Sequence, residues 1–349
     1  MDRTSSRVEG RGRGVTLADV ARFAAVSPAT ASRALRGDPR ISERTRDLVQ
    51  RTAAELGYVP DLRARALRRG STEVIGLLVP TVTDPMHAQI MTGIHQEVAD
   101  TEFNVLFATS LGRPELEAQA LQVFARHRTA GIILVSNVLR PAEAMDLAGT
   151  DRVVFVLPDH ISLAGYQQDP EVGVIRADDP SGVIAEVHHL IDQGAERLAF
   201  VSGQLLASHV TRRTAAEGAV AESHLRHPLT IYPSLGAGFD VPPRILGRIA
   251  RDRPDGLICY DDFTALRLIH ALKERGLRVP EDIAVCGFDD VPFARMAAPP
   301  LTTVRQPTEE MGREAVRMLL TCLETGSMPP SRVHPVRFIP RASTRRSTG

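Results

Sequence analysis

Two sets of residues in this 349-residue chain have the types and spacing to do chemistry. The first opens a helical stretch near the N-terminus. Ser27 suits a helix N-cap, and Pro28 suits the first helical position, where its missing N–H costs nothing. Ala29, Thr30, Ser32 and Arg33 follow, so the start of this helix offers small, hydroxyl-bearing and guanidinium side chains together. A guanidinium fork matches the O6 and N7 acceptors of guanine, and hydroxyls reach phosphate or base edges. The second set is acidic. Asp178-Asp179 and Asp261-Asp262 are adjacent carboxylates of the kind that general acid–base catalysis uses. Nothing around them completes an enzyme signature: the chain has no Gly-x-Ser-x-Gly, no Walker loop and no His-Glu-x-x-His. They read as ligand contacts or turn residues, and no catalytic residue is assigned. His188 and His189 are neighbours on a helical stretch and point to different faces, which argues against a metal site. Cys259, Cys286 and Cys322 lack metal-ligand spacing, and no metal or cofactor is expected.

Composition divides the chain. Residues 1–72 carry 15 Arg against 8 Asp and Glu, while the remainder is acidic by the same margin, so a net charge of zero hides a basic head on an acidic body. That is the electrostatic footprint of a nucleic-acid-binding module. A single lysine, Lys273, stands beside 41 arginines, a skew attributed to genome composition. No run of 18 apolar residues exists, so no membrane partner is expected. Residues 1–14 are basic without an apolar core, and read as a disordered arm rather than a secretory signal. Three scattered cysteines suit a reducing cytoplasm.

Elements that position the first set are legible. Thr16-Leu17-Ala18-Asp19 has the look of a capping box, and Leu17, Val20, Ala21 and Ala24 recur at helical spacing. The helix begun at Ser27 buries Ala31, Ala34 and Leu35 and ends at Gly37. Ser42 caps a third helix that Gly57 closes. Two short helices joined by a tight turn make a helix-turn-helix, whose second helix enters the major groove. Residues 60–72 read as a basic hinge with helical potential. Beyond it, apolar runs at Val74–Val79, Val105–Ala108, Gly131–Val135, Val153–Leu157, Leu198–Val201, Leu257–Cys259 and Ile283–Cys286 alternate with amphipathic segments such as His87–Asp100, Gly182–Gln193 and Glu309–Leu323. Such alternation predicts parallel sheets covered by helices.

The ordered motifs carry a resemblance. The stretch from Thr16 to Gly37, then Ile41–Arg46, Leu56–Pro60, Ala64–Leu67, Ile75–Val79, Gly276–Asp290 and Pro300–Pro307 resemble the LacI/GalR family of bacterial transcription regulators over nearly the whole chain after the arm. The resemblance implies an all-α headpiece over residues 15–59, the hinge at 60–72, and an α/β periplasmic-binding-protein-like effector domain of two parallel-sheet lobes over 73–340, with residues 341–349 a flexible tail. It implies a cytoplasmic, nucleoid-associated homodimer that reads a pseudo-palindromic operator and answers to a small effector. Positions Pro28, Ala29 and Arg33 correspond to operator-selecting residues; two are small or rigid, so base reading falls on Arg33. Thr16 and Ser27 sit at helix N-termini that welcome phosphate. Arg36, Arg40, Arg65 and Arg68 join the expected DNA contacts, and Leu67 corresponds to the hinge residue that wedges into the minor groove. Asp61, where Asn is usual, puts one phosphate contact in doubt.

Ligands of open α/β sheets sit at the carboxyl ends of strands. That places Asp84 and His87 after the first apolar run, Ser208 and Arg213 after Leu198–Val201, Asp261 and Phe263 after Leu257–Cys259, and Asp289 after Ile283–Cys286. Arg213 is the better match to the family's ligand-gripping arginine, with Arg212 the alternative if the register slips by one. Few aromatics and several acceptors point to a sugar or polyol. Two competing readings remain: a plain solute-binding protein, disfavoured by the basic headpiece, and a sugar-modifying enzyme with a fused DNA-binding head, which product formation from candidate sugars would reveal. The polar, basic segment after Phe338 argues for a dimer rather than a tetramer.

Overall fold

The computed structural model describes residues 15–35, 37–58, 72–158, 172–203, 207–236 and 240–345. It divides into two compact units, residues 1–72 and residues 73–349. In the first unit, α1 (Leu17–Phe23), α2 (Pro28–Leu35) and α3 (Glu43–Glu55) surround a core of small side chains: Val20, Ala21, Ala24, Ala31, Ala34, Val49 and Ala53. Local chemistry fixes each start. Thr16 accepts from the Asp19 amide while the Asp19 carboxylate takes the Thr16 amide, a complete capping box. The Thr30 amide donates to Ser27 Oγ, and the Thr45 amide to Ser42 Oγ. Alanines at the crossings let α1 and α2 approach closely, and Ala25 takes the left-handed backbone between them.

The second unit is two α/β lobes. The first holds a six-stranded parallel sheet made of β1 (Val74–Val79), β2 (Asn104–Thr109), β3 (Gly131–Val135), β4 (Val153–Val156), β5 (Gly173–Ala177) and β11 (Arg332–His334), in the order β11-β5-β4-β3-β1-β2. One face packs on α4 (Pro85–Val98) and α12 (Thr308–Thr325), the other on α5 (Pro114–His127) and α6 (Pro141–Ala148). The second lobe has a four-stranded parallel sheet of β6 (Leu198–Val201), β7 (Thr230–Tyr232), β8 (Gly256–Cys259) and β9 (Ala284–Cys286), in the order β7-β6-β8-β9. Its faces carry α7 (Asp179–Asp192) and α8 (Ala207–Glu222) on one side, and α9 (Pro243–Asp252) and α10 (Asp262–Glu274) on the other. α11 (Pro292–Met296) and an antiparallel pair, β10 (Thr303–Arg305) with β12 (Arg337–Ile339), complete it.

Central strands are apolar on both faces because helices cover both, so they read as unbroken Val, Ile and Leu runs. The chain crosses between lobes at residues 177–179, 305–308 and 334–337. Where the sequence suggests a flexible tail from residue 341, the structure shows a tied one as far as residue 345. Ser343 and Thr344 are fully buried, Ser343 Oγ donates to the Val285 carbonyl, and the Arg341 guanidinium pairs with Asp290. Buried partners for each polar group hold this segment, which its composition does not reveal.

Candidate functional site

Two surfaces collect the residues that the sequence singles out. In the headpiece, Pro28, Ala29 and Arg33 stand exposed on α2 while Ala31 and Ala34 face the core. Thr16 and Ser27 cap α1 and α2 at their N-termini. Ser27 Oγ also lies 2.8 Å from Thr30 Oγ1, so the two hydroxyls brace each other. The Arg40 guanidinium is held bidentately by Asp38 at 3.0 and 2.8 Å, and the same contact holds the Asp38 carboxyl well below its usual range. A phosphate contact by Arg40 would therefore compete with Asp38. Arg36, Arg65, Leu67 and Arg68 lie outside the described residues.

In the second unit, a cavity of about 370 Å3 lies between the lobes at the carboxyl ends of both sheets. Asp84, Ser136, Arg176 and Asp178 come from the first lobe and its crossing; Asp179, Ser208, Arg212, Tyr260, Asp261 and Asp289 come from the second. Asp84 caps α4 by accepting from the Met86 amide, and Asp261 caps α10 by accepting from the Thr264 amide. Ser208 Oγ lies 2.7 Å from the Tyr260 hydroxyl. Asp289 accepts from Gln306 Nε2 at 2.6 Å, and it and Asp290 both have positive φ, 111° and 56°. Strained backbone of this kind is kept where surrounding contacts over-determine it, and here it aims a carboxylate into the cavity.

Three expected effector residues sit elsewhere. His87 is buried behind the lining, with Nε2 3.3 Å from Ser136 Oγ, and burial pulls its pKa down, so the ring is neutral at pH 7. Phe263 is 45% exposed, with its ring beneath the Arg267 guanidinium. Arg213 points away, toward Glu217 one helical turn on, and Arg212 takes the cavity position. Helical spacing explains the correction: Arg212, Ala216, Ala219 and Val220 share the buried face of α8, and Arg213 and Glu217 the outer one. That spacing was the signal in the sequence that could have decided between the two arginines.

Arg212 is the electrostatic centre of the site. Its Nε donates to Asp179 at 2.9 Å, its Nη1 to the Tyr260 carbonyl at 2.7 Å, and its Nη2 lies 3.7 Å from Asp289. The guanidinium stacks 3.7 Å from the Phe288 ring centroid. Burial works against its charge, but Asp179 and Asp289 outweigh burial and raise its pKa above the usual value. One buried arginine does not neutralise all the acids packed round it. Burial raises the pKa of Asp179, Glu186, Asp261 and Asp289, and neighbouring carboxylates add to the effect.

Asp262 belongs to the same group. Burial lifts its pKa to about 7 against contacts from Thr303 and the Val291 amide that lower it. The folded protein thus keeps a proton that the unfolded chain sheds above its ordinary value of 3.8. Stability from this group is complete below that value and is lost as pH rises through 7. Asp262→Asn removes the titration, keeps the bond accepted from the Val291 amide and reverses the one with Thr303, whose hydroxyl now accepts from Nδ2. Relative to that variant, the wild type should lose about 2–4 kcal/mol between pH 4 and pH 8. Urea midpoints across this range check it; parallel curves would show that Asp262 ionises normally.

Comparison with known proteins places this architecture. Residues 16–61 match the family model for bacterial regulatory proteins of the lacI family, and residues 187–344 match that for a periplasmic binding protein-like domain. The ribose operon repressor of Haemophilus influenzae is 30% identical over 87% of this chain and 91% of its own length. The chain belongs to the lacI family of bacterial regulatory proteins. A second relative, the HTH-type transcriptional repressor PurR of Aliivibrio fischeri, is 29% identical over 87% of this chain and 90% of its own. Among solved structures, the lac repressor dimer bound to operator and an anti-inducer superposes with a TM-score of 0.82 at 24% identity, covering 95% of this chain and 99% of that one. The CelR–cellobiose complex superposes at 0.68 with 26% identity, covering 94% and 99%. As a lacI-family protein, the chain is a helix-turn-helix transcription regulator whose second unit has the effector-domain fold. Among the described residues, no helix is long and apolar enough to cross a membrane, and no cluster of His, Cys, Asp and Glu forms a metal site.

Proposed function

We propose that this protein is a repressor that binds a pseudo-palindromic operator as a homodimer and changes its affinity when a sugar or polyol fills the cavity between its lobes. The observation that carries the proposal is the cavity itself. Its lining comes from both lobes and from the crossings, so a ligand there has different contacts in open and closed forms. Only such a differential can shift a conformational equilibrium. A relative named for the ribose operon, and a structural neighbour holding cellobiose, support a small metabolite as effector. They also support action by binding rather than turnover, in the cytoplasm where bacterial DNA lies. In this proposal residues 60–72 form the hinge, with Leu67 wedging the central step and Arg65 and Arg68 on phosphates.

Asp84, Ser208, Asp261, Asp289 and Arg212 are assigned to the effector, and Thr16, Ser27, Pro28, Ala29, Thr30, Ser32 and Arg33 to DNA. Selection of bound duplexes from a random library, with and without a metabolite panel, tests the whole reading. A palindromic motif whose enrichment changes with one metabolite supports it; identical enrichment with every metabolite ends the effector half. Within the selected site, Arg33→Ala should cost about 1–3 kcal/mol and relax the choice of one base per half-site. Equal loss on random DNA would make Arg33 a phosphate contact.

A further inference from the structure

The lining of the cavity is rich in carboxylates, five against two arginines. Asp84, Asp261 and Asp289 converge on it from both lobes, and their charges work against one another: Asp84 and Asp261 act on Asp289, and Asp84 acts on Asp261. Arg212 commits its short contact to Asp179 and its longer one to Asp289. Two further lining groups have acceptor atoms with no partner within the protein. Gln306, 3% exposed, spends its Nε2 on Asp289, which leaves Oε1 unpaired; Asp179, 7% exposed, gives one oxygen to Arg212 and keeps Oδ1 unpaired. A buried acceptor without a donor is costly, so the cavity favours a ligand rich in donors.

A hydroxyl brings one donor and two lone pairs, and the lone pairs would meet more oxygens. An ammonium brings three donors, no lone pair and a positive charge. We propose that the effector carries a basic amine as well as hydroxyls, an amino sugar or amino polyol whose ammonium seats among Asp84, Asp261 and Asp289. Its hydroxyls then meet Ser136 and the partnerless Nη2 of Arg176 on the first-lobe side. Because Asp84 belongs to one lobe and Asp261 and Asp289 to the other, the same charge draws the lobes together. This inference rests on the effector reading given above and narrows its ligand class.

The test uses matched pairs on the full-length protein: glucose with glucosamine, galactose with galactosamine, and glucitol with 1-amino-1-deoxyglucitol. Thermal stabilisation is titrated for each, with ethylamine and magnesium chloride as cation controls. In at least one pair the amine should bind roughly tenfold or more tightly than its neutral partner, as expected for charge-assisted hydrogen bonds. Asp261→Asn removes one charge while an amide oxygen still caps Thr264, and should shrink that preference to about threefold or less. Two results overturn the proposal: no amine stabilises the protein, or ethylamine or magnesium does so as well as the amino sugars. If neutral sugars bind and amines do not, the amine inference falls and the effector reading stands. If neither class binds, both lose their support.

Discussion

Arg212→Ala should unfold a large fraction of the effector domain's stability margin, while Arg213→Ala, one residue on, should leave it intact. Arg212 is buried and is the cation held by Asp179 and Asp289; Glu186 and Asp261 feel its charge as well. Removing one partner of a buried ion pair leaves the other charge uncompensated and costs about 3–5 kcal/mol. Protonation of the stranded carboxylates softens the loss at low pH, so the deficit should grow from pH 5 to pH 8. Arg213 is 38% exposed at its side chain and has only a loose contact of 3.7 Å with Glu217, an arrangement worth about 0–1 kcal/mol. Chemical denaturation of both variants reads the difference. A second measurement separates structure from function: Arg212→Lys keeps the charge but not the fork that reaches Asp179 and the Tyr260 carbonyl at once. It should fold and yet lose the effector-dependent change in DNA affinity. Equal stability of the two alanine variants would show that the buried contacts of Arg212 add no net stability.

The contrast between the two arginines also shows what the sequence could and could not reveal. Strands β1, β3, β4, β6, β8 and β9 are legible as apolar runs because each is buried, and β2 is legible as the run Val105–Ala108 although it lies at an edge. β5 is not, since Arg176 ends it at the cavity, and β7, β11 and β12 are short edges carrying Thr230, Arg332, His334 and Arg337. These short polar edges take their order from the neighbour they pair with, and their own pattern says little. Headpiece caps at Thr16, Ser27 and Ser42 are local chemistry and so were readable. Sites assembled from distant segments were half-readable. Asp84, Ser208, Asp261 and Asp289 follow strands and line the cavity, as the strand-end rule requires. Asp179 was visible as one of an acidic pair, but its role depends on Arg212, 33 residues away. Ser136 directly follows the run Gly131–Val135, so the same rule could have found it, whereas Arg176 and Gln306 carry no signal of their own, because the convergence of crossings that brings them to the cavity is a property of the fold.

Those crossings make the chain sensitive far from the cavity, and a glycine in the first lobe exposes it. α12 begins directly after the crossing at residues 305–308 and lies backbone to backbone on α4. A Cβ added at Gly93 would overlap the Glu309 carbonyl, and one at Gly312 the Ile90 carbonyl. Neither obstacle is a side chain that can rotate away, so Gly93→Ala must push the helices apart. That disturbs the packing of Ile90 and Ile94 on Met311, Ala315 and Leu319. The shift reaches the cavity through Gln306, two residues before α12, whose amide holds Asp289. Overpacking of this kind costs typically about 1–3 kcal/mol, and rigid backbone on both sides puts Gly93→Ala at or above the upper end. Effector affinity should fall along with stability, since Gln306 moves with the helix. Gly218→Ala is the matched control: it lies within α8, with negative φ and nothing near an added Cβ. There the methyl group relieves the entropic cost of glycine in a helix and should stabilise by about 0.5–1 kcal/mol. Denaturant midpoints of the two variants should therefore move in opposite directions. A Gly93→Ala protein within about 0.5 kcal/mol of wild type would mean that α4 and α12 separate freely, and that the crossing does not carry helix position to the ligand.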